Sequence, residues 1–151
     1  MNRGRSDFES VKLLCQSVLR KLESQRMIAV ETENRNQLLD DLSLQIKPQI
    51  MTQEDMEAHV LSQIGTKTDE LNDLHLTGGE AYRTLRQQWL SKHGEYEVDG
   101  LYFQKPIKYV AEWMIQFLLK SPSVDEVFAD DDKLLKAIVA TIGNFRRSKL
   151  H

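Results

Sequence analysis

Apolar residues recur at every third or fourth position over the opening of the chain. Phe8, Val11, Leu14, Cys15, Val18, Leu19 and Leu22 fall on one face of a helix of about 18 residues. Ahead of them, Ser6-Asp7-Phe8-Glu9 has the spacing of a capping box. Met27-Ile28-Ala29-Val30 is too short for a helix and predicts an extended segment tucked under a hairpin. The period then resumes with Leu38, Leu39, Leu42 and Ile46, behind Thr32 or Asn34 as a cap. Pro48 lacks an amide proton and restricts Lys47, so it bends or ends this second helix.

The middle of the chain is less regular. Thr52 with Glu54 and Asp55 behind it marks a third helix, with Met56, Val60, Leu61 and Ile64 on its face and Gly65 placed to close it. Leu71, Leu74 and Leu76 predict a short helix or ordered loop within 66–77. Gly78-Gly79 breaks the chain ahead of a helix over 80–92, with Ala81, Tyr82, Leu85, Trp89 and Leu90 on one side and Gly94 at its end. Tyr96, Val98, Leu101 and Phe103 flank Asp99-Gly100, a type I′ turn pair, so 95–103 is either a two-stranded ribbon, which would need a helical surface to lie on, or a loop. Pro106 suits a first helical turn. Ile107, Val110, Ala111, Met114, Ile115 and Leu118 follow, until Ser121-Pro122-Ser123 stops the run. Val124, Val127 and Phe128 form an apolar patch. Asp130, Asp131 or Asp132 caps a last helix with Leu134, Leu135, Ile138, Val139 and Ile142 on its face.

The two ends of the chain echo each other. At a constant offset of 96 positions Val11 maps to Ile107, Leu14 to Val110, Cys15 to Ala111, Val18 to Met114, Leu38 to Leu134 and Leu42 to Ile138. The register survives the non-helical linker, where Ile28 maps to Val124. The expectation is therefore an all-α, compact bundle forming one domain over 1–151. It is built on two pseudo-repeated helical hairpins, about 7–47 and 103–143, with one or two connecting helices in a central segment, 48–102.

Three stretches carry a family resemblance: Val11-Lys12-Leu13-Leu14, the acidic turn leading into Leu38-Leu39-Asp40-Asp41-Leu42, and Gly78-Gly79-Glu80-Ala81-Tyr82-Arg83-Thr84-Leu85. In these the chain resembles the bacterial helical family known only as domain of unknown function number five hundred and seven. The resemblance implies a helical fold, of which longer relatives carry two copies. It brings no assigned activity.

Composition narrows the function classes. Twenty basic against 23 acidic side chains leave a net charge of −3, unlike a dedicated nucleic-acid module. One cysteine, Cys15, excludes an internal disulfide and suits a reducing compartment. No apolar run approaches the roughly 20 residues that span a bilayer, and the polar start lacks a signal-peptide core, so the expected location is cytoplasmic, without membrane contact.

Candidate chemistry is sparse. His59, His75, His93 and His151 are scattered, and Asp55/His59 supplies two ligands where zinc takes three or four. Cys15 sits on an apolar face, where a thiol is inert. Gly78-Gly79 precedes a helix without the lysine and serine of a phosphate loop. No catalytic residue, cofactor or metal site is expected. Trp89, Tyr109, Trp113 and Phe117 stand out instead as interface or core anchors. Under the 96-residue offset Trp113 replaces Ser17 and Phe117 replaces Lys21, so the second copy has the wider apolar face, to be covered by 95–103 or by another chain. The leading expectation is a non-catalytic interaction or adaptor protein with a protein partner, able to form a homo-oligomer. The alternative is a nucleic-acid accessory role through Arg3, Arg5, Arg146, Arg147 and Lys149, should the two termini meet in space.

Overall fold

The apolar stripe that opens the chain forms α1 (Arg3–Ser24) in a computed structural model that describes residues 3–66 and 78–146. The helix starts before Ser6, so the expected capping box is not its beginning. Nothing in 3–7 forbids helical dihedrals, and each residue added to a formed helix gains a backbone hydrogen bond. Arg26 turns the chain with a φ of 59°. The predicted extended segment is β1 (Ile28–Ala29), and α2 (Thr32–Ile46) follows. Its N-cap is Glu31, with no side-chain cap bond, rather than Thr32 or Asn34. At Pro48 the chain tightens into a 3₁₀ turn, Lys47–Gln49, as the proline requires.

Three residues then form β2 (Ile50–Thr52), which the periodicity did not reveal. Thr52 also caps α3 (Gln53–Thr66): its Oγ1 accepts from the Asp55 amide at 3.2 Å. The helix passes through Gly65, which costs about 1 kcal/mol against alanine without breaking it. The expected element at 66–77 lies outside the described residues beyond Thr66. After it come α4 (Gly78–His93), a 3₁₀ turn at Gly94–Tyr96, β3 (Glu97–Val98) and β4 (Leu101–Phe103). Asp99 and Gly100 take φ of 46° and 87°, the pair of positive values that a type I′ turn needs. Last are α5 (Ile107–Lys120), β5 (Glu126–Val127) and α6 (Asp131–Gly143). Of the three candidate caps of α6, Asp130 serves, accepting from the Lys133 amide at 2.9 Å.

The molecule is thus mostly helical, with six α-helices among the described residues, but it is not all-α. Two small antiparallel sheets correct that expectation. One is the pair β1–β5, with Ile28 opposite Val127. The other has the order β2-β4-β3. Strands of two or three residues are too short to show a period in sequence.

These sheets organise the helices. Pairing β1 with β5 puts both hairpin connections, α1 to α2 and α5 to α6, at one end of the molecule. Each hairpin reverses the chain, so neighbours in the bundle run antiparallel. Contacts close a ring of α1, α2, α5 and α6. Its core includes Val11, Leu14, Val18 and Leu22 from α1, Leu38, Leu42 and Ile46 from α2, Val110, Met114 and Leu118 from α5, and Leu134, Ile138 and Ile142 from α6. The three-stranded sheet is a partition. Ile50, Val98, Leu101 and Phe103 face this core, while Tyr102 faces a second one, formed with Met56, Val60, Ala81, Leu85 and Trp89 between α3 and α4. Strand alternation does this: successive side chains of β4 enter different cores.

Candidate functional site

The ring has two seams between hairpins, and they differ. Along α1 and α6 the facing residues include Ser17, Ala140 and Thr141, and the helices pack closely. Along α2 and α5 the facing residues include Leu44, Gln45, Trp113 and Phe117, and the helices touch only lightly. Small side chains let two helices approach; bulky ones hold them apart. Both seams nonetheless open to the surface: the first holds a pocket of about 370 Å³ beside Ser17, Lys21 and Phe145, and the second a groove of about 450 Å³ lined by Asp41, Leu44, Trp113, Gln116, Phe117 and Lys120, among others.

The groove carries exposed apolar surface. Leu44, 62% exposed, and Trp113, 40% exposed, line it with half-buried Phe117, and Tyr109, 58% exposed, lies one turn of α5 from Trp113. Tyr109, Trp113, Gln116 and Lys120 are spaced by three and four, so they share one outward face of α5. The inward face is Val110, Ala111, Met114, Ile115 and Leu118, all buried. The wide apolar surface foreseen for the second hairpin is therefore real in the aromatic positions 109, 113 and 117. None of 95–103 lines the groove; its strands pack on the ring core and on the second core. Leu44 was not foreseen. It falls between the core positions Leu42 and Ile46, out of phase with them, and out-of-phase apolar residues on an amphipathic helix are the signal that finds such a surface.

Trp89 belongs elsewhere. It is 8% exposed, in the second core, with its ring perpendicular to that of Tyr102 at a centroid distance of 5.0 Å. This edge-on contact is a packing arrangement. Burial, with Glu97 next, raises the Tyr102 hydroxyl above its ordinary range. A pocket of about 240 Å³ opens beside the pair, lined also by Met51, His59, Phe103 and Gln104.

Of the terminal basic residues, Arg146 lies well away from the start of α1. Arg146 lines a pocket with Ser17 and Lys21, and Ser17 stands roughly 20 Å along α1 from Arg3. Phe145, buried against the bundle, holds the chain there. The Arg146 guanidinium is turned back on its own helix end, donating to the Gly143 and Phe145 carbonyls. Arg3 and Arg5 stand in the first turns of α1. Arg147 and Lys149 lie outside the described residues.

Cys15 is fully buried, and burial pushes its thiol up to about 12, with a hydrogen bond from Ser43 acting weakly the other way. A thiol held protonated to that extent is no nucleophile at neutral pH. Glu31 is raised by sharing a hydrogen bond with Glu33 and by the nearby charge of Asp125. Among the described residues no group of three or more histidine, cysteine or acidic side chains is placed to hold a metal ion. No helix among them is long and apolar enough to cross a membrane. Comparison with protein-family models gives no match, and comparisons with curated proteins and with solved structures give none either.

Proposed function

We propose that the protein acts by binding another protein, as an interaction or adaptor module without catalysis, and that the groove between α2 and α5 is its docking face. The observation that carries this is the exposed pair Leu44 and Trp113 on a groove also lined by Phe117, with exposed Tyr109 one turn of α5 from Trp113. Together the three exposed side chains leave on the order of 300 Å² of surface open, comparable with the largest apolar patch of an ordinary monomer, which is often functional. Aromatic residues at the centre with Asp41, Gln116 and Lys120 at the rim follow the usual anatomy of an interface, an apolar core inside a polar border. Two antiparallel helices with an open seam accept a further helix, so the partner's expected chemistry is an amphipathic helix with apolar anchors three and four residues apart.

The family resemblance in 38–42 and 78–85 remains part of the proposal, and adds a bacterial helical relationship without an activity. Pseudo-repetition also belongs to it. The pairs Ser17/Trp113, Lys21/Phe117, Ala140/Leu44 and Thr141/Gln45 line the two seams and are all related by the 96-residue offset. In this reading the seams differ in chemistry: small and polar side chains with Phe145 line the first, while Trp113, Phe117 and Leu44 make the second the one suited to a protein partner.

Site-specific photo-cross-linking in the cell of origin tests the proposal. A photoreactive residue at Gln116 should form an adduct with a protein through an amphipathic helical segment. The adduct should disappear when Trp113→Ala is added and should not form from a control position at exposed Lys133. No adduct at 116 above the control, or one that ignores Trp113, overturns it.

A further inference from the structure

The groove is self-complementary, and from this we infer that the helices which fill it come from a second copy of the chain; the inference rests on the docking face proposed above. One wall of the groove is α5, carrying Trp113, Phe117 and the cation Lys120. The other is α2, carrying Leu44 and the anion Asp41. The two walls run antiparallel, and Asp41 and Lys120 line the same stretch of the groove. A two-fold axis parallel to these helices preserves height along the bundle. It therefore lays α5 of each copy antiparallel on the partner's α2. Lys120 then faces the partner's Asp41, and Trp113 and Phe117 face the partner's Leu44. Both contacts are made twice, as an isologous interface demands.

This arrangement also answers what the open seam lacks. The helices α2, α5 and their two counterparts form a closed ring in which every neighbour is antiparallel, a four-helix bundle at the interface. The alternative two-fold, perpendicular to the helices, stacks α2 on α2 and sets the acidic wall of Asp40 and Asp41 against itself, with Lys120 on the far side. Charge selects the parallel axis. Within the chain Lys120 has no ion pair among the described residues, whereas Asp40 already pairs with Lys12 at 3.0 Å and Asp41 accepts from Gln37 at 2.8 Å. The free cation is thus at the rim, where it can reach the partner.

Sedimentation equilibrium across concentration at low salt tests this on the full chain. The mass should rise from 17.5 kDa toward twice that value. Lys120→Glu alone, or Asp41→Lys alone, should weaken association by about tenfold, and the double variant should recover it. Both positions are off the core, and circular dichroism of each variant checks that it folds. A mass that stays at 17.5 kDa at all concentrations overturns the second copy as occupant. So does a dimer indifferent to both reversals. The docking face itself stands or falls separately: an adduct from Gln116 to a different protein keeps the face and replaces the partner, and no adduct removes both.

Discussion

Cys15 is the residue whose environment has the most direct chemical outcome. It packs from α1 toward Ser43 of α2, and both are fully buried. Its thiol is pushed from 9.0 to about 12, so the folded protein keeps a proton that the unfolded chain releases. The resulting stabilisation is fully present below about pH 9 and is lost as pH rises toward 12. Urea unfolding across that range should show stability falling by up to about 1.4 kcal/mol per pH unit from this group. Cys15→Ala should remove that slope and leave the smaller one due to Tyr102, which is raised in the same sense. If the variant and the parent fall in parallel, the thiol is not the cause.

At this scale the sequence grouped Trp89 with Tyr109, Trp113 and Phe117 and did not tell core from surface among them. Trp89 follows Ala81 and Leu85 at intervals of four, a spacing that marks a buried helix face, and it is buried. Trp113 sits between Val110-Ala111 and Met114-Ile115 and reads as part of a broad stripe until its exposure is seen. Phe145 escaped notice because it follows the last periodic residue and Gly143, yet it is part of the core. A single aromatic beyond a helix end has no period by which to judge it.

Among the elements, the helices were legible because each carries several turns of apolar repetition. The ribbon at 95–103 was legible for a different reason: Asp99-Gly100 is a conformational requirement written in two residues. Its third strand was not, since Ile50-Met51-Thr52 resembles any short linker between Pro48 and a helix cap. The ladder that recruits it is non-local, with Ile50 opposite Phe103. The turn supports a measurable expectation. Gly100 has a φ of 87°, and its amide donates to the Glu97 carboxylate at 2.7 Å. Gly100→Ala places a Cβ in the left-handed region and should cost about 1–2 kcal/mol. Asp99→Asn, compatible with the same conformation, should change little. Thermal unfolding of the two variants, compared with the parent, decides whether the turn is as constrained as its dihedrals indicate.

For the molecule as a whole, the decisive information lies in which faces meet. The core of the ring was largely foreseeable residue by residue, because Leu14, Leu38, Ile138 and their neighbours sit in phase. The existence of two unequal seams was not. It depends on Ser17 and Ala140 meeting across one helix pair while Trp113 and Leu44 flank the other. Those pairs are far apart in the chain, and no local pattern couples them. The candidate groove was therefore visible in sequence only as an excess of aromatic surface on α5.

The pairing of β1 with β5, and of β2 with β4, has one more consequence. In each sheet a strand from before residue 67 is hydrogen-bonded to a strand from after residue 77. The two parts of the chain therefore interlock twice, through backbone as well as through side chains, and of these strands only β4 has a second partner, β3, within its own part. Separate polypeptides covering 1–66 and 78–151 should each be largely unstructured, and on mixing should assemble at one-to-one stoichiometry into a species with the circular dichroism of the intact protein. A stable helical fold in either fragment alone would mean that the interlock is dispensable. Reconstitution would make the protein a split reporter, in which association of two fragments is read directly as folding.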